Sequence, residues 1–149
     1  MSNSTENIVK VRRKLGFFGG VCAFIGMVTS VYSIVHHILV KRQGESGFAC
    51  NISSSVNCDV VAASSYSEFG GVPLGVWGLG YFLTLFILSL WMWLRPKRED
   101  ILGLYSIGVG VGLICVCILA YISLAIVQAF CLICLAVYGL LVVQSVILC

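Results

Sequence analysis

Residues Cys131-Leu132-Ile133-Cys134 place two thiols three positions apart in an apolar stretch. On a helix, positions i and i+3 share a face, so these sulfurs can close a disulfide. At a helix N-terminus the dipole favours the thiolate, which activates the sulfur. That is the chemistry of dithiol oxidoreductases; the competing reading is a pair of buried structural cysteines, common in apolar helices. A second pair, Cys50 and Cys58, lies in a polar stretch. Loop cysteines on an oxidising side of a membrane should be oxidised, whether for exchange or as a plain structural disulfide closing a small loop. A zinc site built from all four is disfavoured, because such sites use closer spacing in both halves. The sequence therefore predicts no metal.

The other four cysteines, Cys22, Cys115, Cys117 and Cys149, are read as inert. Cys115 and Cys117 are two positions apart, about 200° around a helix, and cannot face one site. Tyr138 follows Cys134 by four residues and stands one turn deeper on the same helical face. Its phenol is placed to hydrogen-bond a carbonyl of a membrane-borne ligand; otherwise it is a packing tyrosine. Ser64, six residues after Cys58, either caps the same pocket or is a helix-surface serine. His36 and His37 are read as interfacial polar residues rather than ligands or bases.

These residues need elements to hold them, and composition says which. The 149-residue chain is 60% hydrophobic and only 10% charged, with a mean hydropathy of +1.06. A soluble domain would carry roughly a quarter charged residues. The few charges separate long apolar runs, the pattern of a polytopic membrane protein. No basic face remains for nucleic acid once the membrane flanks are assigned. The expected fold is all-α: one membrane domain over 1–149, a four-helix bundle with a short extramembrane capping helix in its first loop.

The first span runs over about 15–40, between Arg12-Arg13-Lys14 and Lys41-Arg42. A polar loop over 43–71 carries Cys50 and Cys58. Within it, 57–66 can form a short helix, with Asn57 as N-cap and Asp59 favouring the first turn. The second span covers about 72–94, with Pro73 at its start, where a missing N–H costs least, and Trp91 and Trp93 at its far interface. From Ile101 to Cys149 no residue is charged. As one helix this stretch would reach roughly 70 Å at 1.5 Å per residue, over twice the hydrocarbon core of about 30 Å. It must fold back, and its least apolar part places a turn near Ser123–Gln128. That gives spans over about 102–123 and 129–149.

Lys10, Arg12, Arg13, Lys14, Arg95, Lys97 and Arg98 share one side, against Lys41 and Arg42 on the other. The positive-inside rule puts both termini in the cytoplasm and the 43–71 loop outside. Cys131 and Cys134 then begin the fourth span on the loop's face, so the topology gathers all four cysteines.

The segments Cys50…Cys58-Asp59-Val60-Val61-Ala62-Ala63-Ser64, Gly71-Val72-Pro73-Leu74-Gly75-Val76-Trp77-Gly78 and Cys131-Leu132-Ile133-Cys134…Tyr138 resemble the vitamin K epoxide reductase family. The bacterial branch is the closer match, through Gly-x-Pro-Leu-Gly, and the resemblance spans nearly the whole chain, from Leu15 to Leu148. It implies a bundle around a quinone, ubiquinone or menaquinone, as electron acceptor. It implies a relay in which Cys50 exchanges with a thioredoxin-like partner, Cys58 attacks Cys131, and Cys134 sits against the quinone. Ser64 and Tyr138 match positions lining the family's quinone pocket. Many bacterial members carry a fused thioredoxin-like domain; its absence here implies a separate, DsbA-like periplasmic partner and a protein of the bacterial inner membrane.

The expected activity is thus a thiol:quinone oxidoreductase that generates disulfides. Two alternatives stand beside it: a vitamin K epoxide reductase of the same family, and a non-enzymatic membrane protein with a structural disulfide.

Overall fold

The computed structural model describes residues 2–44, 57–129 and 131–148. Helix α1 spans Ser2–Gln43. At 1.5 Å per residue its 42 residues extend about 63 Å, so its N-terminal part reaches well beyond any bilayer core. Helix α2, Cys58–Ala63, is a short cap in the first loop. Asn57 initiates it as the sequence predicts: its Oδ1 accepts from the Asp59 and Val60 N–H groups at 3.0 and 3.2 Å. The helix stops before 66, because Ser64 turns extended and Ser65–Ser67 tighten into a 3-10 turn.

Strands β1, Glu68–Phe69, and β2, Val72–Pro73, pair antiparallel across a turn. Gly70 and Gly71 take φ values of +63° and +76° there, a region that side chains with a Cβ disfavour. Helix α3 is Leu74–Leu94 and starts directly after Pro73. Helix α4 is Glu99–Tyr121. Helix α5, Leu132–Leu148, has 17 residues, at the short limit for a span. The protein is an all-α integral membrane bundle; α1, α3 and α4 are long and apolar enough to cross a membrane by length and composition, and α5 is a shorter apolar helix.

The last reversal falls at the far end of the expected Ser123–Gln128 window. The chain does not turn at 123. It winds on through Ile122–Val127 as a π-helical turn, and Gln128 reverses it in the left-handed region at φ 55°. The polar residues that suggested a loop stitch this end together instead. The Ser123 carbonyl accepts from the Gln128 and Ala129 N–H groups, and Ser123 Oγ donates to the Ala129 carbonyl at 2.7 Å.

The core is separate from the cluster that holds Cys58 and Cys131. Ala23, Phe82, Leu85, Met92, Tyr105, Val109 and Leu141 are buried together where α1, α3, α4 and α5 meet. The α1–α3 contact is the closest. A Cβ at Gly16 would sit 2.7 Å from the Trp93 nitrogen, and one at Gly26 would run into the Phe82 ring. Small residues permit such approach where helices associate by van der Waals packing in lipid. Phe24, Ile107, Ile114 and Val146 remain exposed, as a lipid-facing surface requires.

Candidate redox site

Helix α2 carries Cys58 and is fixed from below by α1. His36 Nε2 lies 3.0 Å from Asp59 Oδ1, and both residues are buried. Asp59 directly follows Cys58, so this contact holds the cysteine's own turn. One residue on, His37 Nε2 meets Glu68 Oε1 at 3.0 Å, and Lys41 Nζ lies 3.4 Å from the same oxygen. The hydrogen bond from His37, aided by Lys41, holds the Glu68 carboxyl below its ordinary range. The end of α1 thus grips the loop at two places.

The sequence reading left His36 and His37 without such a role. Their signal was present as a His-His pair ending the first span, opposite a loop with an acid directly after Cys58. What was missing was the distance between them.

Cys131 is delivered by the Ser123–Ala129 stitch. It stands just ahead of α5, outside the span, and its carbonyl accepts the Leu135 N–H at 3.0 Å. Its Sγ accepts the Cys134 N–H at 3.2 Å. Cys131 therefore occupies the N-cap position, with sulfur doing what a serine hydroxyl usually does there. The Cys134 thiol also donates to it. That bond, with backbone donors from Cys134 and Ile133, pulls the Cys131 thiol below its ordinary value despite burial.

Cys58 and Cys131 share one buried cluster, with Val61, Ile133 and Cys134 packed against it. More than 70 residues separate the two cysteines in sequence. Cys58 is disulfide-bonded, while Cys131 and Cys134 are free thiols. Cys50 and Cys149 lie outside the described residues. Cys22, Cys115 and Cys117 are free, with Cys115 and Cys117 exposed along α4.

Residues 18–149 match the model of the vitamin K epoxide reductase family. This chain belongs to that family. Its members are membrane oxidoreductases acting on thiols and quinones. A comparison with curated proteins returns no match.

The site residues can be tested against the family's quinone. Cys134 is half-buried at the start of α5, and Tyr138 is half-buried one turn deeper, within electrostatic reach of both Cys134 and Cys131. The Tyr138 hydroxyl has no hydrogen-bond partner among the described residues, so its proton is available to a carbonyl. Ser64 differs. Its Oγ donates to the Val61 carbonyl at 2.7 Å, closing the C-terminus of α2. A quinone carbonyl needs a donor, and this hydroxyl already uses its one proton. The arrangement fits a quinone at Cys134 and Tyr138.

Proposed function

We propose that this chain generates disulfides, moving electron pairs from a thioredoxin-like, DsbA-like thiol protein through Cys50/Cys58 and Cys131/Cys134 to a membrane quinone. The observation that carries the reading is the common burial of Cys58 and Cys131 in one cluster. A merely structural disulfide needs no dithiol packed beside it.

The partner's dithiol first reduces the Cys50–Cys58 disulfide and becomes a disulfide itself. With Cys131 and Cys134 oxidised to their own disulfide, the Cys58 thiolate attacks Cys131 Sγ, forming Cys58–Cys131 and breaking Cys131–Cys134 to expel the Cys134 thiolate. Cys50 then attacks Cys58 Sγ, restoring the loop disulfide and expelling the Cys131 thiolate. The Cys134 N–H aimed at that sulfur stabilises it as a leaving group, and a lower-pKa thiol leaves faster. Cys131 and Cys134 close their disulfide again, giving up two electrons. A quinone held beside Cys134 would supply the acceptor for that pair, with two protons giving quinol. Tyr138 orients it by donating to a carbonyl.

The lysine and arginine asymmetry, seven against two, favours an orientation with the cysteine end in the periplasm of a bacterial inner membrane. The test is purified protein with a reduced DsbA-like protein and ubiquinone, menaquinone or vitamin K epoxide in parallel arms. One quinol per partner disulfide is expected. Turnover with the epoxide alone, or with no acceptor, overturns the reading.

A further inference from the structure

The opposite end of the bundle holds a second built feature. Lys10, Arg13, Lys14, Phe17 and Phe18 follow one another at helical spacing along one stripe of α1, and with Trp93 of α3 they line a groove of about 390 Å³. From Lys10 to Phe18 the stripe rises about 12 Å, from a cationic end to an aromatic one. The Arg13 guanidinium lies 5.5 Å from the centroid of the Trp93 ring. The close approach of α3 to Gly16 holds Trp93 in place. A smaller groove adjoins on the other side of this pair, lined by Val9, Leu94 and Pro96.

The charges of the groove are differently committed from their neighbours. Arg12 pairs with Glu99 at 3.0 Å, and Lys10 pairs with Glu6 at 2.7 Å. Arg13 and Lys14 form no ion pair with a carboxylate of the described residues. This end of the chain carries seven cations against Glu6, Glu99 and Asp100, a net +4, so an anion is favoured there.

We propose that this groove binds the headgroup of an anionic glycerophospholipid, with phosphate between Arg13 and Lys14 and the chains descending over Phe17 and Phe18. Basic pockets beside membrane helices bind anionic headgroups in this way. A free phosphate fits less well, because half of the groove wall is aromatic and continues into the lipid-facing surface. The site is independent of the redox assignment.

The experiment uses the full chain, delipidated in neutral detergent and titrated with phosphatidylglycerol or phosphatidylcholine under native mass spectrometry. One phosphatidylglycerol should be retained in preference to phosphatidylcholine. R13Q/K14Q should weaken its binding roughly 25-fold, at about fivefold per basic residue, while K97Q/R98Q in the α3–α4 turn leaves it unchanged. Equal weakening by both variants would mean bulk attraction to the basic end and would overturn the site. So would equal retention of the neutral lipid. Displacement by glycerol phosphate at comparable concentration would assign the groove to a soluble phosphate and overturn the lipid. Should R13Q/K14Q not fold, a photoactivatable phosphatidylglycerol decides on the unaltered protein. Labelling confined to 10–18 and 93 supports the site, and labelling spread over all helices sinks it.

Discussion

The two ends of the bundle are held by different physics. At the basic end and through the core, α1 and α3 meet closely over glycines, Gly16 against the α3 backbone and Gly26 against the Phe82 ring, and apolar side chains from four helices close the rest. At the cysteine end the apolar cluster is small, and discrete polar contacts hold the cap: His36 to Asp59, His37 and Lys41 to Glu68, and Ser123 to Ala129. Thiol exchange needs Cys58 to change partners, and a cap tied by discrete polar contacts can shift without disturbing the packed half. Packing supplies the platform, and hydrogen bonds and ion pairs set the cysteines on it.

The sharpest break is chemical. Cys131→Ser should reduce partner oxidation to background, while Cys115→Ser and Cys117→Ser retain full rates. Quinol formation in membranes carrying each variant measures this, and full activity in Cys131→Ser would end the relay.

Two further substitutions separate the ends. His36→Leu leaves Asp59 buried without this partner, a loss of about 1–3 kcal/mol at the cap. Exchange between Cys58 and Cys131 should slow about tenfold or more, with the thermal midpoint of the bundle little changed. Gly26→Leu should do the converse. Its side chain collides with Phe82 in the core and costs about 1–3 kcal/mol of overpacking. Thermal unfolding should shift down while the exchange rate, measured below the transition, stays near normal. If both variants lose stability equally, the division into platform and cap is false.

The capped cysteine gives a pH test. Because the Cys131 thiol is held below its ordinary value, its thiolate persists to lower pH than that of a free cysteine and is lost as pH falls through the lowered value. The midpoint should lie below that of a free cysteine under the same conditions. Thiolate ultraviolet absorbance, taken as the difference from Cys131→Ala, reads it. Cys134→Ala removes the largest contribution, the hydrogen bond from the Cys134 thiol, and should move the midpoint upward. A midpoint that Cys134→Ala leaves in place would mean that the helix start alone sets it.

Much of this was legible from residue order. Apolar runs and charge clusters announced the membrane helices, and Asn57 announced α2, because both signals are local. The thiol pair at the start of α5 was legible for the same reason. The cap's attachment was not, since His36 and Asp59 are 23 positions apart and become partners only when α1 and α2 fold together. The final reversal was legible as a window ending at Gln128, but the helical winding before it was not, because Ser123 reads as loop by polarity. A serine carbonyl that accepts two N–H groups extends a helix into a π-turn, and no single-residue preference records that.

The smallest expected effects distinguish the two hydroxyls that the family resemblance places at the quinone. Tyr138 has a proton to offer, so Tyr138→Phe should weaken quinone affinity by the net worth of one hydrogen bond, roughly 0.5–1.5 kcal/mol, or about tenfold at most. Exchange between the two cysteine pairs should remain intact, because the phenol touches neither step. Ser64 spends its proton on Val61. Ser64→Ala should therefore leave quinone affinity within about twofold and instead loosen the end of α2, where a side-chain cap is lost. Binding titrations with a quinone analogue, run on both variants beside a thiol-trapping assay of the Cys58–Cys131 mixed disulfide, read both quantities. A large affinity loss in Ser64→Ala with none in Tyr138→Phe would place the quinone against α2 rather than α5, and would reverse which end of the cysteine cluster hands over the electrons.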